Sequence, residues 1–263
     1  MLDYTITSNA TIPAEGIKSI KVDWLSGHVD IVKYDGEEII FNESANRELS
    51  EDDMMRYKIV GTELKILFSA DQKGLPRGFF NNLSKTLTLC VPKELQVLDI
   101  NTVSASIAAD GITTEILKLN TVSGSANAIN LSVSSEIKVN TVSGSIYIDN
   151  ITAFREINAH SVSGSIKLNG IKAFHNVKCD AVSGSINVQC MECPQGLKCG
   201  AVSGRIEVSL PENDGFNAKY NSVSGKMTCG FPCMIEKNRL TYKDGGAEMS
   251  FHTVSGGISI NRT

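Results

Sequence analysis

Several things are scarce in this 263-residue chain. Proline numbers 6, tryptophan 1, and aromatics make up 6% of the sequence. Few prolines leave backbone donors free for long hydrogen-bonded strands. Few aromatics argue against a surface that stacks the bases of single-stranded nucleic acid. No apolar run approaches the ~20 residues of a membrane-spanning helix, so direct membrane insertion is not expected. The start, Met1-Leu-Asp-Tyr-Thr-Ile-Thr7, lacks the basic and apolar segments of a secretory leader. As it stands the sequence reads as cytoplasmic, with an envelope or surface location if it is a piece of an anchored protein. Charge of one sign is missing too. With 25 Lys+Arg against 29 Asp+Glu, nothing pulls the whole molecule toward nucleic acid.

Cysteine is present but unpaired by count: Cys90, Cys179, Cys190, Cys193, Cys199, Cys229 and Cys233 are seven. An odd number favours a reducing compartment over a disulfide framework.

What is abundant is one phrase, Val-Ser-Gly-Ser-Ile or a close variant. It begins at Val103, Val122, Val142, Val162, Val182, Val202, Val223 and Val254, with steps of 19, 20, 20, 20, 20, 21 and 31 residues. A period near 20 means stacked coils, each covering its neighbour's open face. Within a coil the pattern alternates. Leu98, Leu117, Ile137, Ile157, Val177, Leu197, Ala218 and Met249 share an apolar slot. The next slot is polar, and the one after is apolar again, from Ile100 to Phe251. Period 2 is a strand with one buried face. Cys179 and Cys199 occupy this second apolar slot and so read as small core residues.

The alternation resumes after the Ser-Gly pair, as in Ile146-Tyr-Ile148 and Ile166-Lys-Leu168. The Ser-Gly pair is therefore a corner, where a Cβ would clash or strain the backbone. These features predict an all-β chain, a parallel β-solenoid of ~20-residue coils, right-handed as parallel crossovers usually are. The regular solenoid is expected over 93–263, with an insertion at 230–248 able to fold over its far end. Residues 1–92 read as a less regular β region of degenerate coils and cap. Its first template copy is Ile20–Ile31, with Gly27 at the corner. The 78 residues from Gly27 to Ala105 are close to four coils. A compact sandwich-like cap is the alternative there. If the caps are incomplete, homodimers through the solenoid ends follow.

Two outward slots carry candidate chemistry. One holds Lys118, Lys138, Lys178, Lys198 and Lys219, broken at Asn158, so that two clusters of positive charge are expected. Such a stripe suits an anionic polymer, or else simply keeps a sheet face from aggregating. The other holds Asn101, Asn120 and Asn140, then His160, Asp180, Gly200, Asn221 and His252. Stacked asparagines bond along the coil axis, a structural role. Cys190-Met-Glu-Cys193 and the pair Cys229 and Cys233 have zinc-ligand character, or are plain thiols. No other cofactor is expected. Catalytic residues are not evident: the serines recur in every coil, the four histidines are scattered, and no acidic cluster stacks on one face.

The serial Asn-Thr-Val-Ser-Gly-Ser-Ile, an early Leu25-Ser-Gly-His-Val-Asp-Ile31 and the run Leu87-Thr-Leu-Cys-Val-Pro92 resemble the bacterial "putative adhesin" family, a domain of unknown function. The resemblance covers roughly residues 17–261. It implies a β-solenoid and suggests an envelope-associated role, and it supplies no catalytic residues. The sequence therefore points to a non-enzymatic, adhesin-like binding or scaffold module with a protein or polysaccharide partner. A carbohydrate-active enzyme, built around the Ser69–Asn82 loop, is the second reading. A metal- or redox-responsive protein is the third.

Overall fold

The structure is a computed structural model, and it describes residues 4–69, 83–92 and 94–263. The expected loop at 69–82 lies outside the described residues except for Ser69. Among the described residues there are twenty-three strands in one mostly parallel sheet system and no helix. The parallel β-solenoid read from the repeat is the fold.

Its regular part stacks coil on coil in near-constant register. Ile146 pairs with Ile166, Ile166 with Ile186, and Ile186 with Ile206. Inward slots form continuous apolar columns; Ile100, Leu119, Val139, Cys179 and Phe251 are all buried in one of them. Each buried Ile or Leu contributes about 1.5–3 kcal/mol relative to exposure. The columns, not any single contact, hold the rod together.

The corner is explained by the approach of neighbouring coils, and at Gly27 and Gly256 by positive φ (103° and 152°) as well. A Cβ on Gly144 would lie 1.9 Å from the Gly124 carbonyl oxygen, and one on Gly164 would lie 2.0 Å from that of Gly144. The residue two places before the Ser-Gly pair serves the same junction. Thr141 Oγ1 donates to the Gly124 carbonyl (3.1 Å), and Ser161 Oγ to that of Gly144 (3.0 Å). Ala105 is tolerated because it sits inside one unbroken strand, Leu95–Asp110, and is fully buried.

A second corner follows six residues after the first. It needs left-handed backbone, at Gly111, Asn130, Asn150 and Gly170 (φ between 53° and 70°). Asparagine is the residue other than glycine that best tolerates this region.

Both ends of the rod depart from simple succession. The strand Ser19–Lys33 pairs directly with Leu95–Asp110, placing Gly27 opposite Ala105. The interval between them is therefore not four stacked coils. Glu63–Leu67 and Lys85–Val91 form one split layer on the outer edge of Ser19–Lys33. Antiparallel strands then cover that layer: Arg56–Val60 and Glu38–Ala45, followed by Thr5–Ile6 and Asn9–Pro13. Antiparallel pairing lets short hairpins seal an end that a parallel coil would leave open.

The far end uses the same device. The last coil does not lie outermost. Ala247–Ser255 is inserted between Gly196–Ser203 and Gly215–Ser224, parallel to both. The insertion supplies Arg239–Lys243, which pairs antiparallel with Gly215–Ser224, and Met234–Glu236 beyond it. Phe216, Phe231 and Tyr242 pack together beneath this cap, with ring centroids 4.9–5.5 Å apart.

Candidate functional site

The polar face of the first side of each coil carries the lysine column. Register extends it beyond the five residues read from the repeat. Across twelve strands the order is Lys58, Lys65, Lys21, Asp99, Lys118, Lys138, Asn158, Lys178, Lys198, Ser250, Lys219 and Arg239. At about 4.8 Å per layer the column is roughly 50 Å long.

One expectation changes. Lys198 and Lys219 do not form one cluster, because the inserted last coil puts Ser250 between them. The cationic residues at either end were missed by the repeat. They lie in segments that lack its signature and join the column only through strand pairing.

Asn158 is shorter than its neighbours, and a shallow depression of about 300 Å³ opens over it. Lys138 and Lys178 wall it, with Asn140, His160 and Asp180 alongside. Lys178 is partly engaged by Asp180 (Nζ to Oδ2, 3.3 Å), both at the exposed surface. Beside this column the expected asparagine ladder is present. Asn140 donates to Asn120 (2.7 Å), Asn120 to Asn101 (3.0 Å), and Asn101 to Asp23 (3.2 Å). These bonds tie the polar slot to the fold, so the side chains of this row are fixed rather than free to sweep.

The two cysteine pairs are not brought together. Cys229 shares a column with Ile260, Val208 and Val188, three layers away from the coil that holds Cys190. That is about 14 Å. Cys190 is buried and Cys193 half-buried, while Cys229 and Cys233 face each other with sulfurs 3.4 Å apart. No three His, Cys, Asp or Glu among the described residues converge as a metal site. Burial pushes the Cys190 thiol up to about 12 and the Cys193 thiol up to about 11. Both stay protonated at neutral pH, the opposite of a reactive thiolate. Cys179 and Cys199 pair in the core as read from the sequence. A thiol–thiol hydrogen bond with Cys179, together with burial, holds Cys199 well above the usual range.

With the register, the corners and the caps in place, the chain can be placed among known proteins. It belongs to the Toastrack DUF4097 family. The family model matches residues 10–261, nearly the span of the resemblance read from the repeat. The chain is also similar in fold to a "putative adhesin" from Bacteroides fragilis NCTC 9343. The identity is 11% and the TM-score 0.57, covering 100% of this chain and 98% of that one. Two further solved structures match over nearly full length. One is a "putative cell adhesion protein" from Clostridium sporogenes ATCC 15579, at 13% identity and TM-score 0.31, covering 99% and 100% of the two chains. The other is a "putative lipid binding protein" from Parabacteroides distasonis ATCC 8503, at 18% and 0.38, covering 97% and 96%. No curated protein matches the sequence. A Toastrack solenoid offers long ladders of repeated side chains, so a singular site must come from the places where the ladders break.

One such break lies on the third side of the coils. The strand Ile186–Cys190 has no residue opposite Gly170, and the register shifts there. The chain makes up the difference in the loop at 191–195. That loop, the loop at 211–215 and the turn at 245–247 enclose an open cleft of about 760 Å³. Glu212 is fixed at its rim by Lys243 (2.8 Å), Arg262 (2.9 Å) and the Tyr242 hydroxyl (2.6 Å). Those bonds hold its carboxyl below the usual carboxylate range. Sequence reasoning missed this cleft. The only signal was the departure of Met191-Glu-Cys-Pro194 from the repeat, which was read for its cysteines.

Proposed function

We propose that the protein is a non-enzymatic, adhesin-like binding module whose working surface is the cationic column, and whose partner is an anionic polysaccharide of the bacterial envelope. The observation that carries this reading is the depression over Asn158, with Lys138 and Lys178 two layers apart on either side. Like charges stacked directly on neighbouring strands repel. The pairs Lys118–Lys138 and Lys178–Lys198 keep that cost in the free protein, and a bound polyanion relieves it. Ladders repeating at a fixed layer spacing match a ligand that is itself periodic.

The non-enzymatic part rests on the carboxylates. A glycosidase general acid needs a pKa raised toward neutrality. Glu212, the best-held acid at the cleft, is shifted the other way by its cations.

The test is affinity electrophoresis through gels containing polygalacturonate or, as the neutral control, dextran. Retardation is expected in polygalacturonate alone, and it should weaken steeply with added salt. Lys138→Glu with Lys178→Glu should abolish it while leaving the melting temperature near that of the parent. Equal retardation of parent and double variant, each taken as mobility in polygalacturonate relative to its own mobility in dextran, would sink the proposal.

A further inference from the structure

The cleft at 191–195, 211–215 and 245–247 stands apart from the cationic column and has its own chemistry. Its volume falls in the range of small-molecule sites, roughly 300–1,000 Å³. Its walls are held rather than loose. Asn213 Oδ1 accepts from the Gly215 amide (3.0 Å), and Asn213 Nδ2 donates to the Pro211 carbonyl (2.9 Å). A Cβ on Gly215 would meet the Gly245 carbonyl at 2.3 Å, so the two glycine turns interlock.

One side of the cleft is apolar and open to solvent. Met191 in its lining is 53% exposed. The other side is polar, with Glu192, Gln195 and Asp214 among its lining residues. The His175 ring contacts the Gln195 amide oxygen (2.8 Å), which fixes that side chain.

An exposed apolar side chain in the same cleft as carboxylate and amide acceptors suits a sugar. The ring's C–H face is apolar, and its hydroxyls donate to acceptors at the edge. We propose that this cleft is a saccharide-binding site for a short stretch of neutral sugar units, with Met191 as its apolar contact and Glu192 and Asp214 as hydroxyl acceptors. The site is independent of the cationic column, and it uses the residues that break the repeat.

The test uses the full chain with cellohexaose and chitohexaose as probes. Binding is measured by calorimetry. At least one hexasaccharide is expected to bind. Glu192→Gln with Asp214→Asn should weaken binding at least about tenfold, and Met191→Ala should do so separately. Lys138→Glu with Lys178→Glu should leave it unchanged, which separates this site from the polyanion surface. Circular dichroism melts check that each variant is folded. Failure of both sugars to bind would overturn the proposal. So would binding that survives every cleft variant, or that is lost in the lysine variant.

Discussion

Lys85 Nζ lies 2.6 Å from Glu43 Oε2, and neither side chain has any exposed surface. The pair is sealed beneath the N-terminal cap, where the ammonium also sits over the Phe68 ring at 4.0 Å and donates to the Asp53 carbonyl at 2.7 Å. The Met55 amide donates to Glu43 Oε1 at 2.7 Å. Burial draws the Lys85 pKa below its ordinary value, and the carboxylate of Glu43 works against that shift. Two charges without water hold each other only while both remain. Lys85→Met is expected to destabilise the protein by about 3–5 kcal/mol, because it strands the carboxylate. Lys85→Met combined with Glu43→Leu should recover most of the loss. Urea unfolding of the single and double variants measures both.

The corner glycines give a second prediction. Gly144→Ala places a methyl 1.9 Å from the Gly124 carbonyl, a backbone atom that cannot swing aside. The coils must part, at a cost of about 1–3 kcal/mol or more. The reverse change at the exceptional corner, Ala105→Gly, should cost only about 0.5–1 kcal/mol. Thermal melts of the two variants should rank in that order, and the opposite ranking would contradict the close-approach account.

Cys190 ties stability to alkaline pH. Its thiol is raised from an ordinary 9.0 to about 12 by burial. The folded protein therefore keeps a proton that the unfolded chain loses. The contribution is complete below about pH 9 and is lost progressively as pH rises toward 12. Cys190→Ala should flatten the decline in stability between pH 8 and 10.5, at the expense of a smaller core. Chemical denaturation across that range checks the slope, and an unchanged slope in the variant would argue against it.

The inserted last coil gives a fourth prediction. Removing residues 247–263 takes away the parallel partner of both Gly196–Ser203 and Gly215–Ser224. Limited proteolysis of the truncated chain should cut first within 211–245, while cuts before residue 190 stay slow. Loss of protection spread evenly over the rod would instead mean that the coils unfold as one unit.

The in-and-out alternation, the coil length and the two ladders were legible in the sequence because each is local. Ile157, Ala159 and Ser161 face inward for the same reason in every coil, and Asn101, Asn120 and Asn140 stack because the period brings them into line. The cleft was not legible, since its loops come from 191–195, 211–215 and 245–247, and no local pattern links them.

Layer order at the ends was decided only by the tertiary structure. Parallel pairing runs through backbone groups that every coil presents alike, so any strand with the right slots can lie beside any other. Gly27 thus meets Ala105 across 78 residues, and Ser250 separates Lys198 from Lys219. The sequence by itself determined what each coil is. Which coil lies next to which was set by end-capping: an open parallel edge is costly, and the chain closes it by stepping outward, laying antiparallel strands, and returning to the layer beneath.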